Sequence, residues 1–391
     1  MKMIIVFLCL VLSMTVRAEV ATDINLATKL DEQAISLFEQ GKYSQAKALY
    51  EQSLTIREKI LGKDHLDVAT SLDNLASLYK NQADQQFDFY LQAKSLYEQA
   101  EPLYKMSLVI REKALGKEHL DVAESLYNLA ELYRSMAGFY KIQYKSCDSN
   151  PYYIMPLHKK AKPLYDRSLA IRKKILGKEH LSVAKTLTGL AMLYHIRHGY
   201  QARRLLEKAL AIYEKIYGKE HASVANTLNS LAATHRGRYR VAEYGKVLVI
   251  YEKLYGTKHP LVATIFDRLA KAELYMHKYT KARQAYEQTL AIYEQAYGKE
   301  HTKVAESLHN LAKLYSNRGG PFLDFDKSKQ LYERSLIIRE NVLGKEHPKV
   351  AESLYHLAKL YSSSRTSNYT KIIHGMMSRK VNNCMKGHLL L

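Results

Sequence analysis

The chain has 391 residues, of which 47% are hydrophobic and 25% charged, a balance that excludes a disordered or fibrous protein. One compact core rarely grows to this length, whereas a repeat array can, because each unit buries its apolar face only against its neighbours. The formal charge of +20 is uneven: residues 134–178 hold eleven Lys/Arg against Asp148 and Asp166, and residues 362–391 hold five basic residues and no acid.

At the N-terminus, Lys2 precedes an apolar run from Met3 to Leu12 and a Val16-Arg17-Ala18 ending. This is the pattern of a secretory leader over residues 1–18, cleaved after Ala18, and it predicts export to a periplasm or medium. The alternative is a buried N-terminal helix in a cytoplasmic protein. The apolar run is shorter than the roughly 20 residues a membrane span needs. Cys9 lies in the leader, and Cys147 and Cys384 make neither a disulfide framework nor a zinc site.

An array of about eight helical hairpins is predicted over residues 19–361. A degenerate unit opens it, with Leu30, Ala34 and Leu37 on a first helix and Ala46, Leu49, Tyr50 and Leu54 on a second. From Gly62 one phrase then recurs seven times: Gly-Lys-Glu-His, two residues, Val-Ala, then Leu-x-x-Leu-Ala-x-Leu-Tyr. Its glycines, Gly62, Gly116, Gly177, Gly218, Gly256, Gly298 and Gly344, are 54, 61, 41, 38, 42 and 46 residues apart. Spacings of this size indicate stacked repeats. Leu72, Leu75, Ala76, Leu78 and Tyr79 form one stripe of a 3.6-residue helix, so each unit pairs two amphipathic helices. Ala76, Ala130, Ala191, Ala232, Ala270, Ala312 and Ala358 mark the close approach of the pair.

Each glycine is expected to end a second helix, and Asp67, Asp121, Ser182 and Ser223 to cap the following first helix, Asp121 and Glu124 as a capping box. Insertions are expected near 80–99 and 134–160. In the first, Ala93-x-x-Leu96-Tyr97 returns seven residues later as Ala100-x-x-Leu103-Tyr104, about two extra helical turns in which Pro102 should introduce a kink. The second includes the turn-rich Cys147 to Tyr153. Arg236 to Arg240 replaces the usual link and predicts a distorted unit, and residues 362–391 form a basic, degenerate tail in which Ile372, Ile373, Met376 and Met377 could cap the array.

The run from Leu49 to His65, echoed from Leu103 to His119, resembles the 42-residue tetratricopeptide repeat of kinesin light chains and of many bacterial repeat proteins. The resemblance implies an all-α, right-handed superhelical solenoid of antiparallel helical hairpins whose first helices line a concave groove. It also implies that Asn74, Asn128 and Asn310 hold the backbone of an extended peptide there. Gly189, Ser230, Arg268 and His356 take the equivalent place elsewhere, so the series is interrupted. Arg134, Lys271 and Lys313 lie near the same faces and would attract an acidic peptide.

No phosphate-binding loop, His-Glu-x-x-His pair or Gly-x-Ser-x-Gly elbow occurs, so the reading is a protein-binding scaffold and not an enzyme, with no cofactor and no metal expected. His65, His119, His180, His221, His259, His301 and His347 recur once per unit in a connecting turn. Roughly 20 Å, two helix diameters, would separate neighbours, too far to share an ion and consistent with a turn-stabilising role. Two other readings stay open: a cytosolic cargo adaptor of the kinesin-light-chain kind, and a binder of polyanions or an anionic surface through residues 134–178.

Overall fold

The computed structural model describes residues 2–86, 90–143, 150–194, 199–317 and 319–363. These residues form fifteen α-helices and no strand. In chain order they are α1 (Lys2–Glu39), α2 (Tyr43–Leu61), α3 (Leu66–Gln85), α4 (Tyr90–Leu115), α5 (Leu120–Gln143), α6 (Asn150–Leu176), α7 (Leu181–Tyr194) and α8 (Gly199–Tyr217). There follow α9 (Ala222–Thr234), α10 (Gly237–Tyr255), α11 (Pro260–Tyr275), α12 (Tyr279–Tyr297), α13 (Thr302–Tyr315), α14 (Phe325–Leu343) and α15 (Pro348–Ser363). In the pairs α1–α2, α3–α4, α5–α6, α9–α10, α11–α12 and α13–α14 the odd-numbered helix is the first member of a hairpin and the even-numbered one the second. None is long and apolar enough, among the described residues, to cross a membrane. The chain forms two compact units, Met1–Ile212 and Tyr213–Leu391.

Both ends of each connecting turn have a chemical cause. At the recurring glycines φ lies between +77° and +86°, a left-handed conformation that glycine adopts without a Cβ clash. The Gly62 amide donates to the Glu58 carbonyl and that of Gly298 to Glu294, closing the second helix. The next first helix is capped by the recurring histidine, not by the Asp or Ser two residues later. Nδ1 of His65, His119, His180, His221, His259, His301 and His347 accepts a hydrogen bond of 3.1–3.2 Å from the amide two residues on. Asp121 therefore donates its amide to His119 instead of acting as the cap, and Glu124 reaches Arg172 instead of closing a capping box. In three turns the tyrosine ending the second helix stacks on this imidazole, as Tyr217 does on His221 at 4.0 Å between centroids.

In the first unit the described residues of both insertions lengthen helices, as expected for the first and not for the second. α3 to α6 run to 20, 26, 24 and 27 residues, against 13 and 19 in the α9–α10 pair. The duplicated heptad gives α4 one continuous buried face, with Ala93, Tyr97, Ala100 and Tyr104 all buried. Tyr104 shares a 2.8 Å hydrogen bond with Ser77 of α3, and Tyr97 donates one of 2.6 Å to Asp84, two turns further along that helix. α4 continues through Pro102 to Leu115. Asn150 to Tyr153, expected in a loop, begin α6, while Cys147 lies outside the described residues.

A buried arginine joins three helices at each step of this unit. Arg57 of α2 lies 2.6 Å from Asp31 of α1 and donates to Ser71 of α3, also at 2.6 Å. Arg111 of α4 repeats this between Asp73 and Ser125, and Arg172 of α6 between Glu124 and Thr186. Burial pushes the Asp73 carboxyl above its ordinary range, against the opposing pull of Arg111.

The second unit uses the same hairpin with shorter helices. The recurring alanines Ala232, Ala270 and Ala312 are fully buried where paired helices meet, and Ala358 on α15, which has no following helix among the described residues, is partly exposed. Tyrosine replaces arginine in two hairpins: Tyr251 donates to Asn226 at 2.5 Å, and Tyr293 bonds Thr264 at 3.0 Å. Arg339 restores the arginine, donating to Ser353 at 2.8 Å. The α9–α10 link is short, with Gly237 at φ +56°, and Arg240 donates to the His235 and Ala233 carbonyls and so closes α9. The residues of the expected C-terminal cap, Ile372 to Met377, lie outside the described residues.

Candidate functional site

First helices form an inner layer within each unit. α3 packs directly on α5, and α5 on α7. In the second unit α11 and α13 are joined by the Asn310 amide donating to Asp267 at 3.0 Å, and α13 and α15 by the His309 and His356 rings, 5.0 Å apart. An apolar stripe on each first helix packs against its second helix, which leaves the positions two before and one after the buried alanine to face this layer.

Asn74 and Asn128 occupy equivalent places on α3 and α5, both half-buried, and neither makes a side-chain hydrogen bond among the described residues. Asn310 is equivalent in position but is already engaged by Asp267. At the corresponding place on α7 stands Gly189, and a Cβ there would lie 2.7 Å from Glu131 Oε1 and from the Tyr165 ring. Tyr165 of α6 donates its hydroxyl to Glu131 across that gap. Here the inner face is filled by the protein itself.

The predicted cationic residues divide. Arg134 donates from Nε and Nη2 to Glu131 at 3.0 and 2.6 Å, so its charge is matched within its own helix. Burial would raise the Glu131 carboxyl, but Arg134 and the hydroxyl of Tyr165 hold it below the ordinary range. Lys271 is paired with Asp267 at 2.6 Å. Lys313 is exposed and forms no ion pair among the described residues. Arg268, Lys271, Lys303, Asp267 and Glu306 line a cleft of about 280 Å³ between α11 and α13, floored by Tyr293.

The basic segment is similarly offset. Of its cations, Arg134, Lys160, Lys162, Arg167, Arg172 and Lys174 pair with Glu131, Glu101, Asp166, Glu112, Glu124 and Glu118. All but Asp166 lie outside residues 134–178, so the excess charge of the segment is distributed over acids of α4, α5 and the turn between them.

The seven cap histidines each commit Nδ1 to a backbone amide, which fits the turn-stabilising role. A different group, His309, Glu352 and His356, has donor atoms within 4.8 Å of one another. Burial, then Arg339, His356 and Lys313, push the His309 imidazole down to about 2, so that ring is neutral. Neither histidine belongs to the cap series. Glu352 and His356, four residues apart on one helix, were the sequence signal for this cluster.

Stacked helical hairpins with a recurrent glycine-to-histidine turn define an all-α repeat solenoid. Tetratricopeptide repeat models match residues 25–86, 89–139, 199–244, 241–295, 267–321 and 304–349, and the chain belongs to the tetratricopeptide repeat family. Similar solved structures include repeats of a putative kinesin light chain from Podosopora anserina, 24% identical over 53% of this chain and 98% of that one, with a TM-score of 0.46. Another is BtubC from P. vanneervenii, 20% identical over 83% of this chain and 92% of that one, with a TM-score of 0.29. A signal-transduction ATPase with a tetratricopeptide repeat sensor from Pyrococcus horikoshii is 14% identical over 88% of this chain and 54% of that one, at 0.49. No curated protein matches the chain.

Proposed function

We propose that this protein is a non-catalytic scaffold whose inner face holds an extended, acidic peptide. The observation that carries the reading is the pair Asn74 and Asn128: half-buried amides at equivalent places on consecutive first helices, with no hydrogen-bond partner in the chain among the described residues. A side-chain amide offers both a donor and an acceptor, which matches the alternating groups of an extended backbone. The acidic preference rests on the net charge of +20, since Arg134, the predicted cation of the same unit, is already paired.

The N-terminal leader pattern adds export to this proposal, and the intact mass of the protein from its native host checks it: loss of residues 1–18 is expected, and a full-length mass removes export. For the peptide, an array of extended acidic and neutral peptides is screened against the wild-type chain and against N74A/N128A. Acidic peptides should bind the wild type and lose at least tenfold in affinity, about 1.4 kcal/mol, on the double variant with helicity unchanged. Equal affinity for both proteins rejects the inner face as the binding surface.

A further inference from the structure

The inner layer between α13 and α15 holds a side chain that nothing among the described residues satisfies. His309 is 3% exposed, and neither its Nδ1 nor its Nε2 has a hydrogen-bond partner. A neutral imidazole carries one N–H and one lone pair, and buried polar groups of this kind almost always find partners. The place it occupies on α13 is held by Asp73, Tyr127, Thr188, Asn229, Asp267 and Tyr355 on the other first helices, so the feature is confined to one step of the array.

Two further donors converge on it from α15. Glu352 and His356 are separated by four residues and lie one above the other on that helix. Glu352 Oε1 is 3.9 Å from His309 Nε2, and the two imidazoles meet edge to face with centroids 5.0 Å apart. Tyr332 of α14, itself buried, backs both rings, edge-on to His309 at 5.2 Å and stacked on His356 at 5.9 Å. Arg339 Nη1 holds the other carboxylate oxygen of Glu352 at 3.3 Å, which turns Oε1 toward the imidazoles.

We propose that His309, Glu352 and His356 form a three-ligand site for a divalent transition ion of the zinc type, with a fourth position open on the inner face. Two imidazoles and one carboxylate are the donor set of open zinc sites, and imidazole donors disfavour magnesium and calcium, which take oxygen ligands. Donor atoms now within 4.8 Å must close to about 3.3 Å around a tetrahedral ion with bonds near 2.0 Å. Glu352 is exposed and His356 only half-buried, so both can rotate toward the fixed His309. Arg339 and Lys313 add positive charge beside the site and oppose a bare dication, which selects for an ion with strong nitrogen coordination over one held by charge alone. The site does not depend on peptide binding.

The test uses untagged, full-length protein stripped with a chelator and titrated with Zn²⁺ against a chromophoric competitor. One ion per chain is expected, bound more than about 100-fold more weakly by E352Q and by H356Q, a loss larger than changing an outer-shell partner produces. Zinc should also raise the unfolding temperature of the wild type and leave that of H309Q/H356Q unchanged. Both single variants change side chains that reach solvent, so their circular dichroism should match the wild type even if the buried H309Q fails to fold. Absence of tight binding to the wild type overturns the proposal. So does unchanged affinity in E352Q and H356Q, which would place the ion on other histidines.

Discussion

His119 shows how a single atom ends one hairpin and begins the next. Its Nδ1 takes the Asp121 amide while the preceding Gly116, at φ +79°, lets the chain leave α4. Replacing His119 by alanine removes the acceptor and should lower unfolding stability by about 1 kcal/mol, whereas asparagine, a good cap, should recover most of that loss. Chemical denaturation of the two variants checks this. Gly116→Ala meets no atom within 4 Å, so its cost is backbone strain alone, roughly 1–2 kcal/mol. The histidine cap was hidden in the sequence because aspartate and serine stand two residues later and are the commoner caps. The recurrence of the imidazole was plain, but its role as acceptor needed the turn geometry.

Between elements, the buried contacts join residues far apart in sequence. Arg111 reaches Asp73 and Ser125, 38 and 14 residues away; the arginine-to-hydroxyl spacing of 14 recurs at Arg57, Arg172 and Arg339, but helix periodicity does not announce the carboxylate partner. Arg111→Met leaves the Asp73 carboxylate buried without its cation and should destabilise the first unit by about 3–5 kcal/mol. The double variant R111M/D73L should be far less damaging, and comparison of the two in denaturant titrations separates the pair from general packing. At Gly189 a methyl group would press on Glu131 and Tyr165, so Gly189→Ala should cost about 1–3 kcal/mol by overpacking.

The same contact has a pH signature. Glu131 is held below its ordinary carboxyl range of about 4.5, so its contribution to stability is complete above that value and disappears as the pH falls through the depressed folded value. The unfolding temperature should therefore drop less steeply on acidification in Glu131→Gln than in the wild type. Parallel slopes would show that Glu131 gains nothing from Arg134. That pairing was readable in advance: Glu131 and Arg134 are three residues apart, and Asp267 and Lys271 four, the spacings at which helical side chains meet. Two of the three predicted cationic residues are thereby matched at home, which narrows the electrostatic case for an acidic partner at Asn74 and Asn128 to the overall charge.

For the whole molecule, the repeated stripe of Leu, Ala and Tyr was enough to specify hairpins, because each helix is local and its periodicity is printed seven times. The inserted segments were unevenly legible. The first was readable as added helical turns because its heptad is repeated, and Tyr97 from it packs on Phe139 at 5.7 Å, whereas the second reads as a turn-rich loop of which Asn150 to Tyr153 open α6 instead. The inner face was legible as a series of positions, while its occupancy was not: Tyr165 fills it at one step and Asp267 engages it at another, through partners 34 and 43 residues away.

The central claim is that partners enter by the layer of first helices. Photo-crosslinking tests it most directly, with a reactive residue placed singly at positions 74 and 128 on the inner layer and at 51 and 94, whose side chains reach solvent on α2 and α4. The account predicts adducts with a peptide ligand from the first two positions and none from the other two. Adducts formed only from positions 51 and 94 would contradict it.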